Sequence, residues 1–397
     1  MSYLRHISTR RLLALVAGCV LAAGGGAAAI ALAAGGSGPT PAPKPLAQAI
    51  HDALAAPQPA GVTARVTFTN HLVDAASLQG ADPILTGATG RLWASGDKLR
   101  LELQASDAGG GAGDVQVLLD ADRLTVIDTG ANTVYRATLP KDTPPHGAAT
   151  QPDAVPSIAR IEQALTHLAE GATVSGAQPG NVAGRPAYTV RISPRHDGGL
   201  LGGAELAWDA ERGVPLRAAV FASGNANPVL ELTATDISFG SVPAGDLAVK
   251  APAGAKVVDL SPPARAGSND PQDQKPVSGL DAVQAKVPFK VAAPDQLVGL
   301  TRQDVRLVDM GGSPGALVSY GQGLGGIAVL QTTASKERSG TSAPGGLSLP
   351  KIAINGASGQ ELDTALGTVL RFERGGVAYT VLGSVPPAAA EAAARAL

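Results

Sequence analysis

An α+β fold made mostly of antiparallel strands, behind an N-terminal membrane helix, is what this sequence predicts, and three observations predict it. An uncharged run from Leu12 to Ala34 follows Arg5, Arg10 and Arg11, and the next basic residue is Lys44. Apolar and polar residues then alternate with a period of two in segment after segment, the mark of half-buried strands. Finally, Ser261 to Ser278 is rich in Pro, Asp, Gln and Ser and divides the strands into two groups.

The first run extends roughly 34 Å at helical rise, enough to cross the hydrocarbon core of a bilayer. Arginines on its N-terminal side stay in the cytoplasm, so the expected localisation is the cell membrane, single-pass, with the bulk of the chain extracytoplasmic. Three fates are open to the run. Retention as a signal anchor is favoured, because the run is longer than a signal-peptide core. Cleavage near Ala31-Leu32-Ala33 is the second, since small residues occupy both positions a signal peptidase reads. Lipidation at Cys19 is the third, because Val16-Ala17-Gly18-Cys19 has the residue types of a lipobox. Against it, the apolar run continues well past Cys19, where a lipoprotein usually begins a polar spacer. Thr9-Arg10-Arg11-Leu12-Leu13 also carries the two arginines of a twin-arginine signal. The expected organisation is a cytoplasmic N-terminus (1–11), a transmembrane signal anchor (12–34), a linker (35–45), a first domain (46–260), a linker (261–282) and a smaller second domain (283–397).

Composition removes several function classes. A formal net charge of −2 over 397 residues, with no basic stripe interleaved with aromatics, argues against nucleic acid as a partner. A single cysteine excludes an intrachain disulfide framework. The high Ala, Gly and Pro content with few Lys points to a GC-rich genome of the actinobacterial type.

Each element has its own signal. Gly35 to Pro45 reads as a Pro/Gly spacer that holds the folded part off the membrane. Leu46 to Ala56 reads as a short helix with Leu46, Ala49, Ile50, Ala53 and Leu54 on one face. Val62, Ala64, Val66 and Phe68 alternate with polar neighbours, as do Leu99, Leu101 and Leu103, with Gly96-Asp97 turning the chain back from Arg91-Leu92-Trp93. Val115 to Leu119, Leu124 to Ile127 and Thr133 to Leu139 continue a meander, and Lys141 to Pro156 is a polar loop. Ser157 caps a helix reaching Glu170, with Ile158, Ile161, Leu165 and Leu168 on its apolar face. Strands follow at Ala187 to Ile192, Ala204 to Trp208, Val214 to Phe221 and Val229 to Phe239, the middle pair joined by a turn ending in Gly213. The second domain reads as a small α/β unit with strands near Val305, Ala316, Ile327, Thr368 and Val377, closed by an Ala-rich helix from Pro387 to Leu397.

Several strings, in order over about 200 residues, resemble the LolA/RseB-like (lipoprotein carrier-like) superfamily. Leu92-Trp93-Ala94-Ser95-Gly96-Asp97-Lys98-Leu99-Arg100 resembles its "G-x-L-W-x-x-P-x-K-x-R" region. Leu124 to Asp128 with Asn132-Thr133-Val134-Tyr135 looks like its "L-W-x-Y-D…N-x-V-Y" meander, with Thr125 where that family has Trp. Gly184-Arg185-Pro186-Ala187-Tyr188 is similar to "G-R-x-A-Y", and Trp208-Asp209 through Gly213-Val214-Pro215-Leu216-Arg217 to "L-W-V-D-x-x-T-G-L-P-L-R". Ile237-Ser238-Phe239 resembles the exit strand "I-x-F". The resemblance covers Leu46 to Leu260 and is to the exported RseB/MucB-like and actinobacterial-type branch, with an extra C-terminal domain. It implies an antiparallel half-barrel covered by helices, whose cavity receives acyl chains or lipidated peptides.

Strings that mimic catalytic motifs have plainer readings. Gly311-Gly312-Ser313-Pro314-Gly315 fits G-x-S-x-G, but Pro314 lacks the N–H that an oxyanion hole takes from that position. Gly321-Gln322-Gly323-Leu324-Gly325-Gly326 fits G-x-G-x-x-G, yet a strand follows where a dinucleotide site needs a helix. The six histidines have no metal-ligand spacing. No enzyme activity, cofactor or metal is expected. The remaining signal is apolar: a ligand cavity walled by Phe68, Leu101, Val117, Tyr188, Val190, Leu216 and Leu232, covered by the helix bearing Leu165 and Leu168. A dry core would use the same inward side chains. Two functions are carried forward. One is non-catalytic binding of lipid or lipoprotein acyl chains at the membrane; the alternative is an RseB-like envelope-stress sensor that contacts another membrane or regulatory protein in a sigma/anti-sigma pathway.

Overall fold

The computed structural model describes residues 38–73, 87–105, 114–139, 155–195, 199–259, 277–309, 313–334 and 349–397. The run from Leu12 to Ala34, with Cys19, lies outside them. No helix among the described residues is long and apolar enough to cross a membrane. The chain separates into two compact units, the first ending at Ser261 and the second taking Pro262 to Leu397, with two short stretches from earlier in the chain.

The first unit is one large curled sheet. Helix α1 (Leu46–Ala55) leads into β1 (Val62–Asn70), β2 (Ala88–Ser95), β3 (Lys98–Ala105), β4 (Val115–Asp120), β5 (Arg123–Asp128) and β6 (Thr133–Thr138). Helix α2 (Ile158–Gly171) follows, its first turn capped by the Ser157 hydroxyl, which accepts from the Arg160 N–H at 3.4 Å. Then come β7 (Ala172–Val174), β8 (Gln178–Val182), β9 (Arg185–Pro194), β10 (Leu201–Asp209), β11 (Pro215–Ala222), β12 (Pro228–Phe239), the short α3 (Ala244–Leu247) and β13 (Lys256–Asp259). Thirteen strands join in the order β13-β6-β5-β4-β3-β2-β1-β12-β11-β10-β9-β7, with β8 also on β9. The recorded pairs are antiparallel except β13 on β6.

Curvature has a local cause. Along β12 the register slips twice: Thr235 is unpaired between the Arg65–Asp236 and Val66–Ala234 pairs, and Val229 between Val220–Leu230 and Phe221–Pro228. An extra residue in one strand bends it and tightens its twist, so these two bulges curl the sheet into a half-barrel near its middle.

The β10–β11 turn ties the sheet to α1. Asp209 is fully buried, and its carboxylate accepts from the Glu211 and Arg212 N–H groups, both at 2.9 Å, and from Arg185 Nε at 2.7 Å. Gly213 closes the turn at φ +65, where a Cβ would stand 2.1 Å from the Ala53 carbonyl oxygen of α1. Gly213→Val therefore meets both a left-handed backbone and a helix in its way. An expected loss of about 2–3 kcal/mol in urea unfolding follows, and a loss below 1 kcal/mol would mean α1 does not press on this turn.

The second unit contains helix α4 (Leu280–Gln284), strands β14 (Gln296–Leu297), β15 (Leu300–Asp309), β16 (Pro314–Tyr320), β17 (Ile327–Thr333), β18 (Lys351–Ile354), β19 (Ala357–Thr364), β20 (Gly367–Arg374) and β21 (Val377–Gly383), and helix α5 (Pro387–Ala396). Its eight strands run β14-β15-β16-β17-β21-β20-β19-β18, all antiparallel. The α/β unit expected here is thus corrected to an antiparallel sheet, in which β14 to β17 and β18 to β21 each pair in sequence order and β17 pairs with β21. The core on one face holds Val305, Val318, Tyr320, Ile327, Val329, Leu370, Phe372 and Val381, with Ala390, Ala393 and Ala394 of α5 packed on it. Gln331, also fully buried, accepts from the Ala292 N–H at 2.7 Å and donates to the Ala292 carbonyl at 2.8 Å, so its polar head is satisfied.

Candidate functional site

Backbone pairing decides which side chains share a face, because directly opposed residues in a sheet point the same way. Phe68 pairs with Leu232, Leu232 with Ala218, and Leu101 with both Leu92 and Val117. Tyr188 pairs with Trp208 and Val190 with Leu206. On the other face, Arg191 is bonded to Glu205 at 3.1 Å and Arg217 to Glu205 at 2.7 Å, and Arg217 also donates to Glu231. That ladder fixes Glu205 and Arg217 on one side, so Leu206 and Leu216 lie on the opposite side with the rest. All seven proposed wall residues therefore project from one face of the sheet.

They do not form one cluster. Phe68, Leu101 and Leu232 pack against Val62, Ala64, Val66, Leu92, Ala94, Leu103 and Val214 near the middle of the half-barrel. Tyr188 and Val190 belong to a second cluster with Ala49, Ala177 and Trp208. Tyr188, Val190 and Leu216 are buried; Phe68, Leu101, Val117 and Leu232 are partly buried. Leu165 and Leu168 are partly buried on α2, which packs on α1 and β7. Helix α1 meets the wall through Leu46, Ala49 and Ala53.

An apolar groove opens in the middle of this face. Val62, Ala64 and Val66 of β1, Leu92 and Ala94 of β2, the stretch from Val214 to Ala218 around β11 with Arg217 in it, and Leu232, Ala234 and Ile237 of β12 line it. Its cavity volume is about 50 Å³; the wider space of about 610 Å³ includes open solvent. The cavity volume is far below the roughly 300–1,000 Å³ typical of ligand clefts, so the groove is a shallow, half-open trough. Four alanines leave the space, since each lacks the atoms that would fill it. The sequence reading found Leu216 and Leu232 but missed these small residues, although Ala64 shares the alternation that marked Phe68.

The chain entering the domain is docked rather than free. Asn181 Nδ2 donates to the Pro39 carbonyl at 3.0 Å and the Tyr188 hydroxyl to the Ala42 carbonyl at 2.5 Å. Lys44 donates to Asp52 at 2.7 Å, and that ammonium holds the Asp52 carboxyl below the usual range. Residues 38–45, expected to be part of a spacer, thus form a strap on the first unit.

The two strings of the second unit that mimic catalytic motifs lack the geometry those motifs need. Ser313 precedes β16 in the hairpin with β15, and Gly323–Gly325 is a 3₁₀ turn between β16 and β17 rather than the start of a helix. Among the described residues, no three His, Cys, Asp or Glu side chains come together as a metal site would need.

No family model matches the chain, and no curated protein does. Among solved structures, it is similar to MucB of a Pseudomonas aeruginosa MucA/MucB complex, at 17% identity and a TM-score of 0.40, over 88% of this chain and 94% of that one. MucB in complex with MucA(peri) aligns at 16% identity and a TM-score of 0.39, with the same coverage. A LolA superfamily protein from Nitrosomonas europaea aligns at 11% identity and a TM-score of 0.21, over 52% of this chain and 98% of that one.

Proposed function

We propose that this is a non-catalytic, extracytoplasmic LolA/RseB-like protein, held at the cell membrane by Leu12 to Ala34, that takes an acyl chain of a lipid or lipoprotein in the groove of its first unit. The observation that carries the reading is the groove itself: a half-open trough walled by Val, Leu, Ile, Ala and Pro215, with Arg217 the one charged residue of its lining. Each methylene moved from water onto such a wall gains about 0.8 kcal/mol, so affinity needs no polar anchor. A cavity of about 50 Å³ takes only a short stretch of chain, and the rest would lie along the open groove.

That small enclosed volume also favours a second reading. A trough that is mostly open suits an apolar segment of a partner protein as well, as an RseB-like envelope-stress regulator in a sigma/anti-sigma pathway would require. Native mass spectrometry of protein purified from its host separates the two. Bound species with acyl-lipid masses, absent after delipidation, are the expected result. Protein that carries no lipid in any preparation but retains a polypeptide partner would favour the regulator.

A further inference from the structure

We infer that the β8–β9 end of the first unit is a membrane-docking face, held against the lipid surface by the strap at residues 38–45. The inference rests on the reading that Leu12 to Ala34 stays in the bilayer, and it goes beyond it by saying which face of the domain meets lipid.

Chain length makes the argument. With residues 35–45 free, eleven residues could extend roughly 40 Å, and the domain could tumble above the membrane. Docking shortens that tether. Pro39 is already bonded to Asn181, and Gly38 approaches so closely that a Cβ there would stand 2.4 Å from Asn181 Nδ2. Only Gly35, Gly36 and Ser37 remain between the apolar run and the strap, and the step from Ala34 to Gly38 reaches at most roughly 14 Å. Asn181 lies two residues from the turn at Ala183 and Gly184 that joins β8 to β9, so this turn stands close to the point where the short tether ends.

Stiffness supports the tether. Prolines occupy positions 39, 41, 43 and 45, and each fixes its own φ, so the docked strap loses little chain entropy. The β10–β11 turn is at the same end of the sheet, since Ala187 at the start of β9 pairs with Asp209 at the end of β10. The β11–β12 turn, with exposed Ala226, is at the opposite end. Charges of both signs, Arg185, Glu211 and Arg212 among them, occupy the docked end, so the tether rather than anionic lipid sets the contact.

The test places the full chain in phosphatidylcholine nanodiscs containing headgroup spin-labelled lipid. In a Cys19→Ser background, a fluorophore is attached at Ala183→Cys or at Ala226→Cys. Quenching severalfold stronger at position 183 than at 226, unchanged when phosphatidylglycerol is added, is the expected result. Adding Asn181→Ala and Tyr188→Phe should lower the signal at 183 toward that at 226. Equal quenching at both positions in protein that floats with the lipid overturns the docked face while leaving the anchor intact. Failure of the Cys19→Ser chain to float with lipid removes the anchor and the docked face together.

Discussion

Asp209→Ala should be the most damaging single change in the first unit, lowering its stability by about 3–5 kcal/mol. Asp209 is fully buried and serves three donors at once: the Glu211 and Arg212 N–H groups, and Arg185 Nε at 2.7 Å. Removing the carboxylate leaves the two turn amides without that acceptor. It also leaves the Arg185 guanidinium, 28% exposed, with only the exposed Glu211 as a carboxylate partner. The damage should spread, because Arg185 and Arg212 both lie over the Phe239 ring, at 5.4 and 4.5 Å, and Phe239 pairs with Val62 at the start of β1. Both tryptophans, Trp93 and Trp208, belong to the first unit, so tryptophan fluorescence in urea reports on that unit alone. A loss below 1 kcal/mol would show that the turn is held by something other than this carboxylate. Asp209→Asn keeps an acceptor for the turn amides and should cost less than Asp209→Ala.

Much of this architecture is legible in the sequence, and what is hidden has physical reasons. Strand β1 buries Val62, Ala64 and Val66 with less buried polar residues between them, so its apolar residues alternate and declare themselves; β9 and β11 also bury Ala187, Ala219 and Phe221 on the other face. Strand β8 carries Pro179 and Gly180, and β19 has Leu362 as its one large apolar residue; neither shows a period. Their turns are better signals than their side chains. Asn355-Gly356, at φ +47 and +85, closes the β18–β19 hairpin and is the dipeptide such a turn favours. The groove is harder to read because alanine marks it. A small residue on an inward face looks like weak core in the sequence, and only the three-dimensional arrangement shows that Ala64, Ala94, Ala218 and Ala234 leave a common space. The Arg185–Asp209 pair is hidden for the opposite reason. Each residue sits in a polar turn where sequence alone suggests solvent, and 24 positions separate them.

Leu216 carries the second large effect. It is buried on the groove wall, next to Leu232 and Ala234. Leu216→Asp would put a carboxylate into an apolar wall, while the guanidinium of the neighbouring Arg217 is already held by Glu205 and Glu231. Several kcal/mol of stability should be lost while the group stays charged, and acyl-chain binding should go with it. Leu216→Trp separates binding from folding. The larger ring can extend into the groove without adding charge, so stability should change by less than about 1 kcal/mol, whereas a dry, filled core should lose about 1–3 kcal/mol by overpacking.

The most direct measurement is a titration of the delipidated protein with dansyl-undecanoate, followed by dansyl emission and repeated with Leu216→Trp. Wild-type protein should give saturable, blue-shifted emission that palmitate displaces, and Leu216→Trp should weaken binding at least about tenfold, or 1.4 kcal/mol, at near-native stability. Absence of saturable binding by the wild type, together with a clear loss of stability in Leu216→Trp, would contradict an acyl-chain groove and make this face a closed core.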